Sequence, residues 1–249
     1  MIKFNAMRRR IPVLKRLIPS FKKLYCRIFW RDGMGTVRSH GALFRVNYKN
    51  FVERQIAFYD DFEEAQLAYL TSEIEKMGAD TFLDIGANIG FYSVIIAHNR
   101  LVANVIAFEP DQRNIVGFNA NVSLNDLTGC IQLQQCAVSA NSGALNFQPG
   151  PDNSTGQSMI AADDAPGISV PALSIDDFSD LSGRKIAMKI DVEGHELDVL
   201  RGMRRTLREN ECLLQIEIYR ENIPLVTALL SEIGYKLSQL IEHDHFFSR

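Results

Sequence analysis

The 249-residue sequence predicts an α/β domain with a mainly parallel sheet covered by helices on both faces, preceded by a basic helical extension. Three observations predict it. Short apolar runs alternate with segments of helical periodicity between residues 81 and 240. The runs are almost continuously apolar, as strands buried on both faces are. The composition is ordinary for a globular chain, 46% hydrophobic and 23% charged with a mean hydropathy of −0.07, which excludes disorder, collagen-like repeats and a pure coiled coil.

Taken in order, residues 1–31 place Phe4, Met7, Ile11, Leu14, Ile18, Phe21, Tyr25 and Ile28 three or four residues apart, with Lys and Arg between them. Pro12 and Pro19 divide this stretch into two short amphipathic segments. We therefore separate an extension, 1–35, from a domain, 36–249. Within 36–59 the run Ala42–Val46 reads as a short β element. A helix over 60–77 carries Phe62, Leu67, Leu70, Ile74 and Met77 on one stripe. Regular alternation follows: strand 81–85, helix 90–99, strand 104–108, helix 111–124, strand 131–138 and an extra strand 144–148. The Gly- and Pro-rich stretch 149–167 is long for a connection in a compact domain, as substrate lids and disordered loops both are. Strand 168–172, helix 174–180, strand 185–190, helix 195–208, strand 212–218, helix 222–233 and strand 235–240 complete the chain.

Charge is divided unevenly. Of 27 Lys and Arg, ten stand before Asp32 and no acid does, so the remainder sets all 30 Asp and Glu against 17 basic residues. A basic amphipathic segment with Phe21, Phe29 and Trp30 reads either as an anchor among anionic lipid headgroups or as helices packed on the domain. A nucleic-acid partner is not expected, because the acidic remainder repels phosphates. The four cysteines (Cys26, Cys130, Cys136, Cys212) form no CxxC pair and suit a reduced, cytoplasmic protein. No run reaches the roughly 18 apolar residues of a spanning helix, and no signal-peptide core is visible. The expected location is the cytoplasm, with the inner face of a membrane as the alternative.

Two strand ends carry ligand chemistry. Asp84-Ile-Gly86-Ala-Asn88-Ile-Gly90 turns from a strand into a helix start, where backbone can approach a ligand and the helix N-terminus favours an anionic group. The dinucleotide fingerprint needs glycine at 86, 88 and 91, and only Gly86 satisfies it. Asn88 suits a left-handed backbone better than other non-glycine residues. Glu109-Pro110 closes the next strand, and a carboxylate about 20 residues beyond such a turn can accept from the hydroxyls of a ribose. Taken alone, Glu109 also reads as a surface acid ahead of a helix.

The densest polar cluster is Lys189-Ile-Asp191-Val-Glu193-Gly-His195-Glu196. Period two places Lys189 and Asp191 on one face of a strand, and Gln215 and Glu217 on one face of the next. If the two strands are neighbours, Lys189 can meet Asp191, Gln215 or Glu217. A structural ion network and a catalytic site both fit this pattern. His195 follows a glycine turn and titrates near neutral pH, which suits a base. Glu196 suits dipole compensation, no metal is assigned, and His243-Asp244-His245 receives no role.

Four blocks in order, LDIGANIGFYS, AFEP, KIDVEGHELDVLRG and LLQIEI, resemble the FkbM family of S-adenosylmethionine-dependent methyltransferases, and the resemblance spans about residues 60–240. It implies a class I methyltransferase, Rossmann-like sheet with one reversed strand near the end. It also implies methyl transfer to an oxygen, commonly a hydroxyl of a sugar, glycan or natural product. Carried over by position, Asp84, Gly86, Asn88 and Gly90 would line the methionine end of S-adenosylmethionine, Glu109 its ribose, and Cys136-Ala137 its adenine. His195 and Asp191, with Lys189, would serve catalysis, and Glu193 and Glu217 would stand on the acceptor side. The alternatives are an NAD-dependent oxidoreductase on a similar sheet and a catalytically silent, membrane-associated protein with this fold.

Overall fold

A computed structural model of the chain describes residues 12–59, 61–162, 164–178 and 181–249. It places a seven-stranded sheet at the centre, built from β3 (Thr81–Ile85), β4 (Asn104–Phe108), β5 (Ile131–Gln134), β10 (Lys185–Ile190), β11 (Glu211–Glu217), β12 (Lys236–Ile241) and β13 (Asp244–Ser248). The order is β12-β13-β11-β10-β3-β4-β5, parallel from β11 to β5, with β13 antiparallel to both its neighbours. The expected parallel sheet with one reversed strand is therefore present. Strand order reverses between β3 and β10, where open α/β sheets leave a crevice beyond the carboxyl ends of the strands.

Alternate residues of the buried strands feed two cores. Phe82, Ala107, Ala187, Leu213 and Phe246 pack on the side of α3 (Glu64–Met77) and α4 (Phe91–His98). Leu83, Ile85, Ile106, Phe108, Met188, Ile190 and Ile216 pack on the other side, against α7 (Glu196–Arg201), α8 (Arg204–Glu209) and α9 (Ile223–Glu232). Burial on both faces is why these strands read as continuous apolar runs. The helix α5 (Gln112–Leu124) follows β4, capped by Asp111, whose side chain accepts from the Arg113 N–H.

Several expectations are corrected. The strand expected over 131–138 is two: β5 ends at Gln134, and β6 (Ala137–Val138) joins a separate four-stranded sheet with β7 (Gly143–Gln148), β8 (Met159–Ile160) and β9 (Ile168–Leu173). The helix expected over 195–208 breaks between Arg201 and Arg204. An added Cβ at Gly202 would stand 2.0 Å from the Ser139 carbonyl oxygen, and the Gly202 carbonyl accepts from the Asp176 N–H and the Ser174 hydroxyl rather than continuing a helix. A short helix, α6 (Ile175–Phe178), precedes this junction. Strands β1 (Met34–Ser39) and β2 (Ala42–Asn47) form a hairpin, and α2 (Phe51–Phe58) follows, where only one β element was expected. Finally, the break expected at Pro19 is absent: one helix, α1 (Pro12–Phe29), runs through it. Pro19 is buried and costs the helix one internal hydrogen bond. The apolar positions at Phe4, Met7 and Ile11 lie outside the described residues.

Candidate active site

Parallel register assembles the site at the crevice. Lys189 lies beside Asp84 on one side and Gln215 on the other, and Gln215 lies beside Phe246. Two residues further along the same face come Gly86, Asp191 and Glu217, with Asp244 beside Glu217. A polar stripe thus climbs from the buried sheet to its carboxyl edge.

Lys189 is only 3% exposed and its ammonium meets three carboxylates, Asp244 at 2.9 Å and Asp191 and Glu217 at 3.8 Å each. It also stands 5.7 Å from the centre of the Tyr92 ring. Burial favours the neutral amine, yet Asp191, Asp244, Glu63 and Glu217 hold its proton well above the usual lysine range. The Tyr92 hydroxyl donates to Glu63 and accepts from Gln215 Nε2, which also donates to Asp244. Burial raises Glu63 to about 7 despite Lys189 and that tyrosine. Burial, reinforced by Asp191 and opposed by Lys189, raises Glu217 to about 8.

The glycine turn lies next to this group. Gly86 has φ +83°, and an added Cβ would fall 1.8 Å from the Asp191 carbonyl oxygen, so only glycine lets the two strand exits pass. Asn88 takes φ +51°, the left-handed backbone that asparagine tolerates. Asp84 is buried and bound to the start of α4, accepting from the Ser93 N–H at 2.9 Å and its hydroxyl at 2.5 Å. Burial outweighs those bonds and raises it to about 6. Glu109, 4% exposed, accepts from the Asn88 and Asp111 N–H groups at 2.8 Å and from Asn114 Nδ2 at 3.3 Å. Burial still raises it to about 7.

Two cavities flank the turn. One, of about 70 Å3, is lined by Gly86, Asn88, Phe108, Glu109, Cys136, Ala137 and His195 among others. The other, of about 520 Å3, is lined by Phe51, Val52, Glu63, Tyr92, Lys189, Glu217 and Tyr219 among others, and Gly86, Asn88, Asp191 and Glu193 reach both. The loop expected over 149–167 covers them, with Gly156 and Met159 in both linings. It is tied down by Asn50 Nδ2 on Thr155 Oγ1 at 2.8 Å, by the Ser158 hydroxyl on Asp111 at 2.8 Å, and by Arg113, which pairs with Asp111 at 2.6 Å and donates to the Gly150 carbonyl at 2.8 Å. Burial would raise Asp111, but the bonds from Arg113 and Ser158 hold it below the usual carboxylate value.

The candidate residues are therefore divided by the structure. Lys189, Asp191 and Glu217 come together. His195 stands apart, at the smaller cavity, with Nε2 2.9 Å from the Ser139 hydroxyl and its proton affinity lowered by burial. Glu193 takes φ +51° and accepts from the Tyr219 hydroxyl. Glu196 is fully buried and braces this turn, accepting from the Gly194 N–H at 2.7 Å and from Asn222 Nδ2 at 2.9 Å. Gly90, at φ +82°, starts α4 against the Phe118 ring. Sequence reasoning missed Asp244, Glu63 and Tyr92. Tyr92 lies inside the LDIGANIGFYS block, and Asp244 stands two residues before the apolar pair Phe246-Phe247, a usable strand signal. Nothing local marks Glu63.

The raised carboxyls set a pH dependence for folding. Glu63, Asp84, Glu109 and Glu217 keep protons in the folded state at pH values where the unfolded chain has lost them, so they favour folding progressively as pH falls from about 8 towards 5. His40 and His195, lowered by burial, act oppositely below about pH 6.5. Thermal unfolding of the ligand-free protein should show its highest Tm between about pH 5 and 6.5 and a decline towards pH 8. A Tm that climbs steadily from pH 5 to 8 would mean these carboxyls are hydrated in solution.

Comparison with known proteins shows the family. The family model described as the methyltransferase FkbM domain matches residues 84–237. The hexuronic acid methyltransferase AglP of Haloferax volcanii is 30% identical over 174 residues, which are 68% of this chain and 68% of that protein. Methyltransferase 1 of Beauveria bassiana is 30% identical over 147 residues, 50% of this chain and 59% of that protein. Methyltransferase sdnD of Sordaria araneosa is 26% identical over 202 residues, 67% of this chain and 78% of that protein.

Proposed function

The chain belongs to the FkbM family of methyltransferases, and from that premise we propose that it methylates an uncharged hydroxyl, on a sugar or glycan, with Glu217 as the proton acceptor. The cofactor is S-adenosylmethionine, which when bound supplies a methyl group already activated on its sulfonium. The residues at the smaller cavity fit that cofactor: Glu109 is an acceptor-only carboxylate with room on Oε2 for a ribose hydroxyl, and Phe108, Cys136 and Ala137 offer an apolar wall to a base. Ligand pockets usually measure about 300–1,000 Å3, so the segment 154–160 has to lift from the smaller cavity to admit it.

The observation that carries the acceptor reading is the raised Glu217 beside Lys189 in the larger cavity. A hydroxyl is a weak nucleophile that must lose its proton as its oxygen attacks, and a base with a proton affinity near the working pH serves that step best. Lys189 keeps Glu217 in place, and the nearby Asp191 raises its proton affinity. A carboxylate acceptor would need no base. It would also face Glu63, Asp191, Glu193 and Glu217 with Lys189, already paired, as the only basic side chain among the described lining residues.

The free cysteines support a cytoplasmic location, and the basic residues 1–31 a contact with the inner face of a membrane. Among the described residues no helix is long and apolar enough to cross one.

Calorimetric titration should show binding of S-adenosylhomocysteine and none of NADH. Radiolabelled methyl groups should then pass to neutral oligosaccharides in a linkage stable to mild alkali, as an ether is. Label released by mild alkali would identify an ester on a carboxylate acceptor and sink the hydroxyl reading.

A further inference from the structure

Helix α1 is amphipathic in the wrong direction for a helix that merely packs on its domain. A surface helix turns its apolar stripe inward. Here the inward side holds Pro19 and Cys26, and the chain leaving the helix lays the Trp30 ring over Gly35, where an added Cβ would fall 1.9 Å from the indole. The outward side holds Phe21, Leu24, Tyr25, Ile28 and Phe29, each between 55% and 68% exposed. Their spacing makes one continuous stripe along the helix. On a helical wheel Lys22 borders it on one edge and Arg27 lies towards the other, while Lys23 lies on the opposite face with its ammonium 5.9 Å from the centre of the Phe58 ring of α2.

We propose that this stripe is a docking surface for an anionic lipid membrane, with the apolar side chains sunk among the headgroups and the flanking Lys and Arg on lipid phosphates. This deepens the membrane contact of the functional reading by naming its face and its lipid chemistry. Charge selects the occupant. The first 31 residues carry ten basic groups and no acidic one, which an anionic surface attracts and a second copy of the same helix repels. The acidic remainder of the chain is turned away by the same surface, which leaves α1 as the part that touches it. Apolar insertion and electrostatic attraction add to each other in such interfacial helices.

The position of α1 ties docking to the acceptor site. It packs on α2, and Phe51 and Val52, in the first turn of α2, line the larger cavity. The Phe51 N–H also donates to the Asn153 carbonyl at 2.8 Å, joining α2 to the loop over the site. A sugar carried at the membrane would meet the cavity without leaving the surface, a consequence that rests on the hydroxyl-acceptor reading.

The test is sedimentation of the full chain with vesicles of phosphatidylcholine mixed with an equal amount of phosphatidylglycerol, against vesicles of phosphatidylcholine alone. The protein should sediment with the mixed vesicles only, and release with salt. Combining Phe21→Ser, Leu24→Ser and Ile28→Ser keeps every charge and changes only exposed positions. It should weaken sedimentation about tenfold or more while S-adenosylhomocysteine binding stays unchanged. Equal sedimentation by the variant, or none by the parent chain, would overturn the proposal. A parent dimer that the variant converts to monomer, with no vesicle binding by either, would assign the stripe to self-association instead. Failure of methyl transfer to every sugar would remove the acceptor reading and leave the vesicle result standing.

Discussion

Glu217→Gln is expected to lower kcat by about 10²- to 10⁴-fold, the range a positioned general base contributes. S-Adenosylhomocysteine affinity should stay within about twofold, since Glu217 lines the larger cavity and not the one that holds Glu109. The substitution removes a charge but keeps the shape, and Lys189 retains Asp244 and Asp191, so the fold should survive. The pH profile is the sharper measurement. With Glu217 raised to about 8, the parent kcat should climb with pH towards a plateau above that value, and the variant should lack that limb. His195→Ala should do the reverse: a weaker cofactor KM through the smaller cavity, with kcat and the limb kept. If His195→Ala abolishes the limb and Glu217→Gln keeps it, the base is His195.

Glu109→Gln is expected to weaken S-adenosylhomocysteine binding about 10- to 100-fold, as losing hydrogen bonds to a charged group does. Three donors converge on this carboxylate, from Asn88, Asp111 and Asn114. An amide must aim its NH2 at one of them, so the turn at Asn88 is disturbed together with the proposed ribose contact. The unpaired donor should also lower stability by about 1–3 kcal/mol, read as a fall in Tm. Because burial raises Glu109 to about 7, affinity in the parent protein should strengthen as pH rises through that value. Calorimetry across pH checks both statements. Unchanged affinity in the variant would remove Glu109 from the ribose site.

The strands that build the crevice were legible because burial on both faces writes itself into local sequence. Thr81–Ile85, Asn104–Phe108 and Lys185–Ile190 are found where the apolar runs place them. Lys189 was legible for the opposite reason: a lysine inside such a run requires partners. The partners themselves were half visible. Asp191 and Glu217 share its face by period two, but Asp244, its nearest carboxylate at 2.9 Å, arrives on β13, which the closing hairpin with β12 turns back against β11.

Alone, the sequence determined the alternation of strands and helices, the glycine turn and the carboxylate Glu109 that closes the next strand, the family, and a basic amphipathic N-terminal segment. Each of these depends on side-chain type at a fixed spacing along the chain. The tertiary structure decided which strands are neighbours, and so which carboxylates share a lysine. It also decided that Ala137–Val138 leaves the main sheet, that α1 runs on through Pro19, that Gly202 breaks a helix against Ser139, and that His195 faces a different cavity from Glu217. Those outcomes depend on contacts between residues tens of positions apart, whose energies leave no period in the local sequence.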